Sequence, residues 1–158
     1  MKKYEFTGET KRVELWNRTA TLHRIKATVE FGFVKVGELG GWIEKEENLS
    51  HEGKAWVWGN AKVWGNAKVC DDAKVCGDAE VFLASHVLVM GSVGSRNDFT
   101  TFFRDKDNEI TVKCGCFLGK IDKFLEKVTQ THGNNKYALV YRAAVEVAKL
   151  QIELTERK

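Results

Sequence analysis

Residues 55–81 read AWVWGNAKVWGNAKVCDDAKVCGDAEV, a six-residue unit repeated without insertion. Alanine recurs at Ala55, Ala61, Ala67, Ala73 and Ala79, and valine at Val57, Val63, Val69, Val75 and Val81. A strict period of six is not helical, because 3.6 residues per turn would smear the valines round the helix. It fits a strand-turn unit. In Ala-x-Val the two ends point to one side and the middle residue to the other. The intervening Gly-Asn, Asp-Asp or Gly-Asp pair supplies a corner, since these residues tolerate unusual backbone angles. Such hexapeptides are a β-helix signature, with alanine and valine filling a narrow interior. Three units per coil would stack residues 18 apart, pairing Trp58 with Cys76 and Trp64 with Phe82. Trp58, Trp64, Cys70, Cys76 and Phe82 are expected to face outward, and Trp56, Trp58 and Trp64 to form an outward aromatic cluster. That cluster is either packed, within or between chains, or a platform for stacking a base or sugar. Open ends and apolar outer faces predict a homo-oligomer.

Around the repeats the chain divides into an N-terminal β segment (1–50), the β-helix with its closing strand (51–89) and a C-terminal α+β region (90–158). In the first, RVELW and ATLHRIKATVEF read as strands flanking a turn at Asn17-Arg18. The last reads as β-β-α-α. FTTFFRD and EITVKCGCF are strands joined by KDN. Ile121, Phe124, Leu125 and Val128 then mark one face of a helix that stops at His132-Gly133. A second helix starts near Asn135, with Tyr137, Tyr141, Ala144, Val145, Ala148 and Ile152 as its apolar stripe. The predicted fold is mainly β: a short left-handed β-helix with N-terminal strands and a C-terminal ββαα unit.

The formal net charge of the 158 residues is +3, too weak for bulk nucleic-acid binding but compatible with a small anion. No apolar run approaches the ~20 residues needed to span a bilayer. The start, MKKYEFTGE, lacks the apolar core of a signal peptide. The four cysteines therefore read as reduced thiols in a cytoplasm.

Three segments could carry chemistry. MGSVGSRND, residues 90–98, offers backbone N–H groups and the Arg96 guanidinium to a phosphate or carboxylate; the alternative is a plain connector. KCGCFLGK, residues 113–120, is expected to place Cys114 and Cys116 on one face of a strand. With His132 they would offer a zinc site, short of one ligand, or a cysteine nucleophile; otherwise both thiols simply pack. Gly119-Lys120 opens a helix whose free N–H groups make a second anion site. THGNNKYALVY, residues 131–141, joins the two helices, and its His132 either caps its helix or touches ligand. The candidate ligand-binding residues are thus Ser95, Arg96, Lys120, His132 and Tyr137, with no catalytic residue, metal or cofactor.

LGGWIEKEENLS, GNAKVWGNAKV, GDAEV, GSRNDFTTFF, CGCFLGKIDKF and THGNN together resemble small phage and prophage proteins with hexapeptide-like β-helix repeats and a C-terminal α+β cap. The resemblance covers nearly the whole chain. It implies a viral protein in the cytoplasm of an infected bacterium. It further implies a binder that sequesters a nucleotide-derived immune signal, a cyclic ADP-ribose derivative or a cyclic oligonucleotide, rather than an enzyme. The alternatives are a hexapeptide-repeat acyltransferase, with His86 as its base, and a structural phage assembly module.

Overall fold

A computed structural model of the chain describes residues 2–15 and 18–154. The architecture is mainly β, with two helices near the C-terminus. The turn expected at Asn17 lies outside the described residues. The strands on either side of it pair as expected: β1 (Tyr4–Leu15) is antiparallel to β2 (Arg18–Ala27). β3 (Leu39–Ile43) then adds antiparallel to β2.

From β3 onward the sheet changes character. Four two-residue strands follow: β4 (Trp56–Val57), β5 (Lys62–Val63), β6 (Lys74–Val75) and β7 (Glu80–Val81). All their pairings are parallel. Trp56 pairs with Lys74, and Lys62 with Glu80, eighteen positions apart in each case. This is the offset expected from the period of six. Gly59, Gly65 and Gly77 take positive φ at the corners, and Asp71 does so where glycine is missing. All ten repeat alanines and valines named above are at most 1% exposed.

The parallel pairing begins before the repeat is legible. Trp42 and Ile43 of β3 pair with Lys62 and Val63, and Leu49 bridges Val69. Two rungs are therefore written in other letters, Gly41-Trp42-Ile43 and Glu47-Asn48-Leu49. Gly41 fills an alanine slot, where a Cβ would lie 2.7 Å from the Ala61 carbonyl. Asn48 is fully buried. Its Oδ1 accepts the N–H groups of Glu44 and Lys45 at 3.2 and 2.9 Å. Its Nδ2 donates to the carbonyls of Gly65 and Ala67 at 3.2 and 2.9 Å. The amide is fully satisfied and ties a corner of one rung to the corner above it.

The tryptophans follow the packed alternative of the sequence expectation, not an exposed outward cluster. Trp56 and Trp64 are buried, Trp56 in one cluster with the repeat alanines and valines and Trp64 in a separate one. The first fifty residues cover them. Tyr4 and Phe31 meet Trp56 edge-on at 6.2 and 5.3 Å. At Gly40 a Cβ would come within 2.7 Å of the Trp56 ring, so only glycine lets the indole lie flat there. Trp64 stacks on Phe82 at 5.1 Å, the pairing expected from the period, and packs with Leu22 and Trp42. Only Trp58 of the expected cluster stays half exposed.

The C-terminal part has one strand more than expected, and the closing strand expected after the repeats joins its sheet as β8 (Val87–Val93). β8, β9 (Asp98–Arg104), β10 (Ile110–Cys114) and β11 (Phe117–Lys120) form one antiparallel sheet in the order β11-β10-β9-β8. The single strand expected over EITVKCGCF is a hairpin instead. Gly115, at φ +56, reverses the chain so that Cys114 pairs with Phe117. α1 (Ile121–His132) and α2 (Lys136–Gln151) follow where the sequence placed them, closed by Gly133 and opened by Asn135, whose side chain accepts the Ala138 N–H. Tyr137 departs from the expected apolar stripe and is 41% exposed; Tyr141 takes the buried place.

β9 joins the two halves. Phe103 packs into the core of the rungs, while Phe102, its neighbour, packs under the helices. Ala79 bridges Asp105, and the Thr101 hydroxyl accepts the Lys74 N–H at 3.0 Å.

Asn48→Ala removes four hydrogen bonds at once and strands their backbone partners. We expect a loss of about 3 kcal/mol in unfolding free energy, read as a lower urea midpoint at unchanged slope. A loss below about 1 kcal/mol would show that water or neighbours replace the amide.

Candidate functional site

The GSRN stretch forms the tip of the β8–β9 hairpin. Val93 pairs with Asp98, and the Asn97 N–H donates to the Gly94 carbonyl at 3.3 Å. The Ser92 hydroxyl also donates to the Asn97 carbonyl. Ser95 and Arg96 therefore stand exposed at the apex. Gly94 is at φ +82, and a side chain there would collide with the Tyr141 hydroxyl. The tip is thus seated against α2.

A second tip, Gly115-Cys116, lies beside it. The β8–β9 and β10–β11 hairpins turn at the same end of one sheet, so antiparallel order alone makes them neighbours. A Cβ on Gly115 would stand 2.9 Å from the Arg96 guanidinium, which therefore lies over the glycine.

Two cavities open on either side of this contact. The larger, about 560 Å³, lies between the tips and the rungs, against Phe33, Trp58, Lys74, Cys76, Asp98 and Lys113. The smaller, about 340 Å³, lies between the tips and the helices, against Ser95, Lys127, Thr131, His132 and Tyr141. Arg96, Gly115 and Cys116 line both.

The larger cavity combines cations with aromatic faces. Lys74, Arg96 and Lys113 carry positive charge against the single negative charge of Asp98. The Lys74 ammonium sits 4.9 Å from the centre of the Phe33 ring. Phe33 is 83% exposed, unusual for a large apolar ring. Lys113 Nζ donates to the Gly115 carbonyl at 2.7 Å, which holds it at the cavity wall. Burial pushes the pKa of the Cys76 thiol up, so it is a neutral wall at pH 7. In the smaller cavity the His132 ring stacks on Tyr141 at 5.9 Å. Burial raises the Tyr141 pKa, and the Cys114 thiol beside it adds to the shift, keeping the phenol neutral. The arrangement can bind a small anion that carries a ring.

Of the five residues predicted from sequence, Ser95, Arg96 and His132 come together. Tyr137 does not line the cavities; its ring lies 5.5 Å from His132, on the helix surface. Lys120 is elsewhere. It stands at the opposite end of the sheet, where β11 passes into α1, and three carboxylates surround it. Asp105, Asp107 and Glu109 approach its Nζ at 3.0, 2.8 and 3.2 Å. Burial opposes the Lys120 charge, but these hydrogen bonds outweigh it and hold the pKa above the usual lysine range. Lys120 is thus engaged within the fold rather than offered to an anion.

Cys114 and Cys116 do not share a strand face, because Gly115 breaks the strand between them. Among the described residues, no three His, Cys, Asp or Glu side chains gather where they could hold a metal ion. Phe33, Lys74 and Lys113 were missed by sequence reading. The signal for Lys113 was its alternation with Val112 and Cys114 on β10; Phe33, in a loop, gave none. No described helix is long and apolar enough to cross a membrane. A scan against protein-family models and a search of curated proteins found no match.

His86, the base that an acyltransferase would need, is fully buried. Its Nδ1 accepts the N–H groups of Phe82 and Leu83 at 3.0 and 3.1 Å, so the ring is a structural acceptor. Burial, with the Arg104 charge second, lowers its pKa from 6.5 to about 4. The fold favours the neutral ring. Its stabilising contribution is therefore complete above about pH 6.5 and is lost as pH falls towards 4. We expect this to cost about 3 kcal/mol across that window. His86→Gln, which can accept a hydrogen bond without titrating, should lose less over the same range in urea titrations at stepped pH. Parallel losses in both proteins would remove the assignment.

Proposed function

We propose that this protein is a phage-encoded binder that sequesters a nucleotide-derived immune signal in the cytoplasm of the infected host. A cyclic ADP-ribose derivative and a cyclic oligonucleotide are the ligand types in view. Capture without turnover would blunt anti-phage defence by lowering the free signal. One observation carries the binding part of this reading: Arg96, Lys74 and Lys113 converge on a cavity that also presents Trp58 and Phe33. Phosphate needs the cations, above all the two-pronged Arg96. A base needs a flat apolar face, and stacking on an aromatic ring contributes about 1–3 kcal/mol per base. Ser95 adds a hydroxyl at the same tip. The phage origin rests on the sequence resemblance alone.

The scaffold belongs to the same proposal. We read the parallel rungs as about two coils of a left-handed β-helix. The eighteen-residue pairing and the alanine–valine interior support this. We also read the protein as a homo-oligomer. The exposed Leu139, Val147 and Leu150 of α2 offer an apolar surface to a second copy. Light scattering that returned the 17.9 kDa chain mass at micromolar concentration would refute the oligomer.

A ligand that binds only the folded protein raises its melting temperature by mass action. A nucleotide panel screened this way should contain stabilisers. Arg96→Ala should leave the melting temperature of the free protein nearly unchanged, since Arg96 is exposed at a tip. It should weaken ligand binding by about 1.5–3 kcal/mol in calorimetric titration, the scale of one charge-assisted contact. Lost stability with unchanged binding would make Arg96 structural and remove the centre of the proposal.

A further inference from the structure

The two cavities are not independent. They share the Arg96 side chain and the Gly115-Cys116 turn as a common wall, and each has its own remaining lining. Arg96 lies over Gly115 at this boundary, and among the described residues it has no carboxylate partner. A guanidinium so placed can reach an anion from either side.

The sides differ in chemistry. The rung side is the larger and holds the aromatic faces of Trp58 and Phe33, with Lys74 and Lys113. Asp98 is also there, exposed at the base of the tip. A carboxylate repels phosphate but accepts from a ribose hydroxyl or a base amine. It thus marks where a neutral ring unit sits rather than where the phosphate does. The helix side is the smaller; Ser95, Lys127, Thr131 and His132 bring polar groups to it beside the apolar Phe117, Phe124 and Val128, with the His132 ring backed by Tyr141. Both volumes fall in the range of small-molecule sites. A mononucleotide would fill one side and leave the other empty.

We propose that the ligand has ring units on both sides of a phosphate bridge: a base and its sugar in the Trp58–Phe33 cavity, the phosphate on Arg96, and a second ring unit in the His132 cavity. This rests on the nucleotide-binding reading above and narrows it. Two ligand sources share the chemistry. In a dinucleotide the second unit is another nucleoside; in an ADP-ribose-type ligand it is a second sugar.

Calorimetric titration with cyclic di-AMP, ADP-ribose, AMP and pyrophosphate tests the idea. Cyclic di-AMP or ADP-ribose should bind at least tenfold more tightly than AMP, and which of them does so identifies the second unit. His132→Ala should collapse that preference, whereas Trp58→Ala should weaken every adenine-bearing ligand. Thermal unfolding of both variants excludes global damage. If AMP binds as tightly as both larger ligands, or if the preference survives His132→Ala, the two-sided ligand is wrong and the nucleotide-binding reading stands. If pyrophosphate alone binds, or none of the four, both fall.

Discussion

Two adjacent phenylalanines on one strand tie this molecule together. In a β-strand successive side chains point to opposite faces, so Phe102 and Phe103 on β9 must face different layers. Phe103 closes the end of the rung core and Phe102 closes the floor beneath the helices; both are fully buried. Burying each ring contributes roughly 1.5–3 kcal/mol, and truncating either would cost about 3–5 kcal/mol once the cavity is counted. Everything at the site depends on this double attachment. The hairpin tips belong to the β9 sheet, while Trp58, Lys74 and Cys76 belong to the rungs. The larger cavity exists because β9 holds those two layers at a fixed separation.

The rungs solve a different problem. A two-residue strand gains few hydrogen bonds and cannot hold its register alone. Here register is fixed by volume. Alanine and valine alternate at fixed places along a narrow interior, and a slip of one residue would drive lysine or tryptophan inward. The corners need backbone angles that glycine supplies, and Asp71 bears the residual strain where it does not. Where the repeat departs from its pattern, side-chain bonding substitutes for it. Asn48 satisfies four backbone groups at one corner. Just before the chain's first strand, the buried Lys3 ammonium donates to the Ala55 carbonyl at 2.7 Å. Burial lowers the Lys3 pKa to about 8, the cost of placing a cation where a rung begins.

What could be read from sequence was what is local. The period of six foretold the parallel offset, the interior residues and the Trp64–Phe82 stack. The helix limits followed from Gly133 and Asn135, whose roles are short-range. The fate of Trp56 was not legible, because its cover comes from Tyr4 and Phe31, dozens of residues upstream. The rungs at Trp42 and Asn48 were hidden because they keep the geometry and abandon the letters. β8 was legible as the apolar strand that closes the repeats, whereas β11 was hidden behind the Gly115 reversal. At the site, Ser95 and Arg96 were legible as a Gly-rich tip. The neighbouring tip was misread, because Cys114 and Cys116 alternate like strand residues and only the positive φ of Gly115 separates them.

Charge sorting along one sheet explains why two similar cations differ in role. Lys120 and Arg96 both follow a glycine-containing segment, and sequence alone treats both as anion sites. They sit at opposite ends of the β8–β11 sheet. The end near Lys120 carries the β9–β10 turn with Asp105, Asp107 and Glu109, and these carboxylates enclose its ammonium. The Arg96 end carries glycine, serine, cysteine and lysine with the single carboxylate of Asp98, and among the described residues Arg96 forms no ion pair. An exposed arginine keeps its charge at little desolvation cost, and a pre-seated guanidinium loses less freedom on binding than a free one. Lying over Gly115 supplies that seating. The sheet thus places its internal electrostatic attachment at one end and leaves the other end cationic, open and next to aromatic rings.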